Sequence, residues 1–484
     1  VVYKRNGEPK DVLKVDKPQI TPVVLNRDDK SKFVETFDTV QSGRLTPLFV
    51  DYKKEIQESE VNGVSFSYVK NQLNELFELS YILDMGTDHD KKLGLAIKYL
   101  PYLGTDKYSA EDLQKEFFKL GLSFDVYVSR DKAYVSLQGL DESFEEGVKL
   151  FEHILSSVKA DEQAYLDLVD GILKERSDAK LDKGTILFAG MTSYGKYGAT
   201  SPFTNIIQSN ELKARKAEEL VQKIKEVTTY KHRIFYYGST EPDKIKNVLV
   251  QHHKVPGGIM KDYPQPVQYT ELSMTENKVY FVNYDMVQSE IMILSKGNPY
   301  DKNLAPATYL FNEYFGSGLS SIVFQEIREA KALAYSAYAA FSTPRNMKES
   351  HYVQAYVGTQ ANKLKDAVTA MNELMTDMPE AEVQFNAAKD ASMKKIESER
   401  IVGSEIFWSY ERAKDKGLDY DIRKDIYAQL PNMKMADLKS FFDQNIKGRK
   451  YTYLVLANRK SVDAKVLNSL GKYEELSLEK VFNY

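Results

Sequence analysis

Apolar positions along this chain follow two periods. Residues 64–69, 76–85, 122–128, 133–137 and 233–237 are short runs rich in β-branched and aromatic side chains, and they predict strands. The pair 122–128 and 133–137 reads as a hairpin around Arg130-Asp131. Between the strands the period changes. Phe144, Val148, Phe151, Ile154 and Leu155 fall on one helical face. Helices are also predicted over 91–100, from Ala110 to about Leu120, from Asp161 into the mid-180s, and over 211–225. Ser109 with Asp112 and Ser143 with Glu146 have the spacing of capping boxes.

The pattern then repeats. Leu79 through Gly86 match Glu290 through Gly297 at an offset of 211, and Asp90-Lys91 match Asp301-Lys302 at the same offset. Further on, the face Phe144, Val148, Phe151, Ile154, Leu155 matches Leu364, Val368, Met371, Leu374, Met375 at an offset of 220, and the strand at 234–236 matches 454–456. Loops absorb a few extra residues more readily than strands do, so the step in offset belongs to the hairpin region. The prediction is an α+β chain of two tandem copies of one domain, each of roughly 210 residues. Its predicted segments are a linker or wrapping region at 1–60, a first copy at 61–254, a connecting segment at 255–277 and a second copy at 278–484. The first segment is read as irregular, with extended backbone before Pro18, Pro22 and Pro47. Pro256-Gly257-Gly258, Pro264 and Pro266 mark the connection.

Composition narrows the chemistry. A net charge of -4 argues against a nucleic-acid binder, and no apolar run approaches the length of a membrane span. The chain has no cysteine, which removes thiolate catalysis, disulfides and cysteine metal sites. It opens on Val1, with no signal-peptide pattern, and reads as a fragment or processed piece, so localisation is left open.

The most informative stretch is 315–341, FGSGLSSIVFQEIREAKALAYSAYAAF. Gly316 and Gly318 relax a turn, Ser320 or Ser321 is placed to cap the helix that follows, and Val323, Phe324 and Ile327 share one face of that helix. Residues 333–341 predict a strand covered on both faces. No lysine follows the glycines, so a phosphate-binding loop is not indicated. Arg328 and Tyr335 stand seven residues apart across the helix–strand junction.

FQEIREAKALAYS resembles the signature of the C-terminal half of pitrilysin/insulysin-type zinc peptidases, the inverzincins. The resemblance implies paired domains of the LuxS/processing-peptidase-like type, with mainly antiparallel sheets and helices on one face. It implies that Arg328 and Tyr335 reach across a closed chamber to the substrate backbone and the tetrahedral intermediate. The family's catalytic motif is H-x-x-E-H, in which two histidines and a downstream glutamate hold zinc. None of the six histidines, His89, His153, His232, His252, His253 and His351, has that spacing. Where the first copy should carry the motif the chain reads GLAIKYLPYLGT, with Ile97, Leu100 and Pro101 near the metal positions. The expectation is that zinc belongs to a partner or upstream half, and that this chain binds none and is inactive alone. His252-His253 reads as a solvated helix end, because adjacent side chains diverge.

Two functions follow from the resemblance. In the first, this is the non-zinc half of a zinc metalloendopeptidase that closes over unfolded peptides, with the zinc-bearing half in the same parent chain or in a separate subunit. In the second, it is a family member without zinc that acts as a scaffold. The Arg328/Tyr335 pair favours the first. By analogy a bacterial source would suggest a periplasmic or cell-envelope location.

Overall fold

Two six-stranded mixed sheets carry the fold. The computed structural model describes residues 29–40, 43–255 and 260–484. In chain order the first sheet is built from β1 (Ile56–Val61), β2 (Val64–Lys70), β3 (Leu76–Leu83), β4 (Leu122–Val128), β5 (Ala133–Leu140) and β6 (Arg233–Gly238). The second is built from β7 (Lys278–Asn283), β8 (Gln288–Pro299), β9 (Ser336–Ser342), β10 (Ser350–Gln360), β11 (Thr452–Ala457) and β12 (Lys472–Glu475). Their spatial orders are β1-β2-β6-β3-β5-β4 and β12-β7-β11-β8-β10-β9. Five strands therefore follow one plan in both sheets. The closing strand, β6 or β11, lies parallel to the opening strand β2 or β7 and antiparallel to β3 or β8. Most strand neighbours are antiparallel, as the resemblance implied.

The helices that frame the sheets include α1 (Lys91–Tyr99), α2 (Phe144–Ser157), α3 (Glu162–Ala179), α4 (Pro242–His252), α5 (Leu364–Thr376) and α6 (Glu405–Asp415). The repeated apolar face is the buried face of α2 in the first half and of α5 in the second. Each sheet packs its own helices on one face. The opposite face is covered reciprocally. Phe407 of α6, from the second half, buries against Val69, Ile82 and Phe235 of the first sheet. Its ring stacks on Phe235 with centroids 3.9 Å apart. In return Ile186, Leu187 and Met191, from a π-helical turn at Thr185–Met191, cover Val282, Met292 and Leu454 of the second sheet. Burying a side chain of this size contributes about 1.5–3 kcal/mol, so the exchange ties the halves together. Thr46–Tyr484 accordingly form one compact unit. In the preceding unit, the described residues hold a short helix, Lys32–Asp38, capped by Ser31.

Several local expectations change. Residues 56–61 are not irregular but form β1, joined to β2 through Asn62-Gly63. Both turn residues have positive φ, 51° and 78°, the conformation that an Asn-Gly hairpin turn requires. Ser109 caps its helix through Asp112 N, as expected, but Ser143 makes no capping bond because Asp141–Ser143 form a 3-10 turn. The helical stretch 211–225 breaks between Ala214 and Ala217, and α4, a helix whose span the sequence pattern did not predict, follows β6. Residues 333–341 are not a doubly covered strand. β9 is a sheet edge whose side chains alternate between buried and more exposed. The expectations for Pro18, Pro22 and Pro256-Gly257-Gly258 lie outside the described residues. Among the described residues no helix is long and apolar enough to cross a membrane.

Candidate functional site

Arg328 and Tyr335 are held by a tightly specified junction. A π-helical turn, Asn312–Gly316, closes part of the β9 edge. The Asn312 side chain donates to Phe341 O at 3.1 Å and accepts from Phe341 N at 2.8 Å, standing in for a neighbouring strand. A Cβ at Gly316 would lie 1.5 Å from Ala339 O, so only glycine permits this approach. Ser321 then accepts from Phe324 N, which opens the helical segment carrying Arg328. That segment, Phe324–Ala330, is π-helical, a form often found at functional positions. Val323 and Ile327 anchor it in the core.

The chain turns sharply after Arg328. Ala332 adopts φ 48°, a left-handed conformation costly for alanine. Lys363 Nζ donates to Ala332 O at 2.9 Å, and Thr359 Oγ1 donates to Leu333 O at 2.5 Å. Tyr335 N then donates to Gly358 O at 2.9 Å, which starts the pairing with β10. These bonds hold the two residues on either side of the turn. Both line one depression of about 280 Å³, together with Leu333, Gln360 and Lys363.

Neither side chain has spent its donors. The guanidinium of Arg328 lies over the Phe324 ring at 4.7 Å, and its ion pair with Glu329 is long, 3.7 Å. It makes no hydrogen bond among the described residues. Tyr335 is 56% exposed, and its hydroxyl accepts from Gln360 Nε2 at 3.0 Å. An accepting phenol keeps its own proton free to donate outward. A larger cavity, about 640 Å³, adjoins Tyr335 and Gln360 on the other side and is lined by Lys183, Met286, Val287 and Asn362. Lys183 is paired with Glu290 at 2.5 Å, so its charge is neutralised within the protein. Sequence reasoning missed Gln360, Met286 and Val287, because only the β9–β10 pairing and the β7–β8 turn bring them to Tyr335.

In the first half, the stretch read against the family's zinc motif places apolar side chains in the core. Ile97 and Leu100 are 1% exposed and belong to the core. The outward side of α1 presents Lys91, Gly94, Leu95 and Lys98 to a cleft shared with Glu175 of α3. These residue types do not make a zinc site. Among the described residues no group of three His, Asp or Glu side chains is placed to hold a metal ion. The expectation for His252-His253 also changes, since His253 is buried rather than solvated.

Residues 233–391, which include Arg328 and Tyr335, match the family described as Peptidase M16 inactive domain. The chain is also 22% identical over 288 residues to an uncharacterized zinc protease of Rickettsia felis, covering 59% of this chain and 67% of that protein. Both matches are to M16-type zinc peptidases, and the family match covers about a third of the chain. Solved protease structures share its fold. The peptidase M16 inactive domain of Pseudomonas fluorescens superposes with a TM-score of 0.64 at 16% identity, over 84% of this chain and 99% of that one. The periplasmic protease PqqL of Escherichia coli superposes with a TM-score of 0.66 at 14% identity, over 92% of this chain but only 49% of that one. The chain thus spans about half the length of that protease.

Proposed function

We propose that this chain is the non-zinc half of an M16 zinc metalloendopeptidase, and that Arg328 and Tyr335 grip the substrate backbone opposite the zinc of a catalytic half. The observation that carries this reading is the pair's geometry. A guanidinium and a phenol border one solvent-open depression, each with donors to spare, on a junction braced by Thr359, Gln360 and Lys363. Fixed donors aimed at a carbonyl that becomes an oxyanion stabilise the transition state more than the ground state. Zinc, held by the other half, would supply the activated water. The cavity beside Tyr335 takes a neutral, apolar substrate side chain, because Met286 and Val287 line it and its lysine is already paired.

The test is turnover of a quenched unfolded peptide. The chain would be assayed alone and then assembled with its zinc-bearing half, with and without a chelator. Activity in the assembly only, abolished by chelation and reduced by Arg328→Ala and Tyr335→Phe, supports the reading. Unchanged turnover in both variants removes the site assignment.

A further inference from the structure

A buried chain of polar groups crosses the first half. It runs from Tyr81 on β3 to Glu152 on α2, to His253 just after α4, and to His232 just before β6. The Tyr81 hydroxyl donates to Glu152 Oε1 at 2.6 Å, and the same oxygen meets His253 Nδ1 at 2.7 Å. His253 Nε2 meets His232 Nε2 at 2.9 Å, and His232 Nδ1 meets the Tyr230 carbonyl at 2.7 Å. Tyr81 and both imidazoles are buried.

The contacts can be counted in hydrogens. A carbonyl only accepts, so His232 Nδ1 carries a proton. A neutral His232 then offers a bare Nε2, and His253 Nε2 must supply the second proton. The contact between His253 Nδ1 and Glu152 needs a third. Two neutral imidazoles carry only two N–H protons, and the Tyr81 proton is already committed to Glu152. One further proton must therefore come from solvent. Since Glu152 Oε1 also accepts from Tyr81, the carboxylate form suits it, which leaves His253 Nδ1 as the place the hydrogen-bond pattern offers for the added proton.

A metal ion fits the distance less well. Two nitrogen ligands at about 2.0–2.1 Å on tetrahedral zinc stand roughly 3.3 Å apart, whereas 2.9 Å is the length of an N–H···N bond. Nor do the described residues supply a third ligand.

We propose that the Tyr81–Glu152–His253–His232 chain binds one structural proton, and that this proton latches the root of the segment leading from the first sheet to the second. The neighbouring contacts show what it holds. Lys261 N donates to Thr229 O at 2.7 Å, Lys231 N donates to Lys261 O at 2.9 Å, and the Tyr263 hydroxyl donates to Lys231 O. Residues 229–231 thus pin the connecting segment, and His232 bonds to the middle one of the three. Removing the proton leaves a bare Nδ1 facing the Glu152 carboxylate. Adding another sets two N–H groups against each other across the histidine pair. Burial, partly offset by the Tyr230 carbonyl, already holds His232 down at about 4, which resists the second event. The other charged groups near the chain are Lys149, Lys225, Lys254, His153 and His252, which line a cavity of about 470 Å³ with Glu152, and Glu145, 3.6 Å from His252. That cavity gives Glu152 an opening to solvent.

The experiment uses the full chain labelled with ¹⁵N at histidine. Near neutral pH one imidazole of the pair should carry protons on both nitrogens and the other on Nδ1 only. Two neutral rings would overturn the proposal. Thermal melts and limited proteolysis then compare the wild type with Glu152→Gln, whose amide N–H can serve a neutral His253 without any added proton. From neutral to alkaline pH the wild type should lose melting temperature, and cleavage at Lys261 should rise about tenfold, while the variant stays flat. Parallel behaviour of the two proteins refutes the latch. Stabilisation by added zinc in the wild type but not in His232→Gln would replace the proton with a metal. If Glu152→Gln fails to fold, the histidine spectra alone decide.

Discussion

Gln360 Nε2 donates to the Tyr335 hydroxyl at 3.0 Å, so the phenol accepts on its inner side and donates on its outer side. This relationship turns a strand-end tyrosine into an oriented donor. Tyr335→Phe should lower kcat of the assembled peptidase by about 10²-fold, in the range seen when one oxyanion donor is removed, with little change in KM. Gln360→Ala should cost less, about tenfold, because the hydroxyl remains but rotates freely. Equal losses in the two variants would mean that Tyr335 acts by packing.

Arg328 presents a planar fork on the Phe324 ring. Arg328→Lys keeps the charge but loses both the fork and the stacking, so it should rescue little of the activity lost in Arg328→Ala. Steady-state kinetics on one unfolded peptide measures this. Full activity of the lysine variant would reduce the role of Arg328 to a point charge.

Val287 is 91% exposed at the turn between β7 and β8, beside the larger cavity. Val287→Asp should shift peptide preference away from apolar residues by about 10-fold in kcat/KM, since one apolar contact in a pocket is worth about 1–3 kcal/mol. The melting temperature should not move, because the side chain is solvent-exposed in the wild type. An unchanged preference alongside an inactive Arg328→Ala would sink the pocket while leaving the substrate grip intact.

Phe407 stacks on Phe235 across the two halves, and nearby Arg233 pairs with Glu411 at 2.8 Å. Phe407→Ala should cost about 3–5 kcal/mol and destabilise both sheets together. Calorimetry would show one weakened transition. Two separate transitions, one of them unaffected, would mean that the exchanged elements do not couple the halves.

Acid should destabilise the chain in two stages. Burial lowers His232 to about 4, against the usual 6.5. The unfolded chain therefore binds the extra proton between those values, and stability falls as the pH drops through that window, by about 3 kcal/mol. Burial pushes Glu411 up, but Arg233 and Lys414 outweigh it and hold the carboxyl at about 2, against 4.5. Its contribution is complete above about 4.5 and is lost as the pH approaches 2, again by about 3 kcal/mol. Urea midpoints measured from neutral to acid pH should fall first through the histidine window. His232→Gln should flatten only that first stage.

The sequence by itself determined the repeat, the strand and helix faces, and the absence of H-x-x-E-H, because periodicity and motif spacing are local properties of the chain. It singled out Arg328 and Tyr335 by their separation and surroundings. It also contained a hairpin signal in Asn62-Gly63, which a reading of 1–60 as irregular passes over. What only the tertiary structure decided are contacts between distant segments. Gln360 reaches Tyr335 through the β9–β10 register. Phe407 and Met191 cover the sheets of the opposite halves. His232, His253 and Glu152 converge although 101 residues separate the last two. A helical face fixes which side chains turn inward, but the partner they meet is set by how the sheets pack, and no local pattern encodes that.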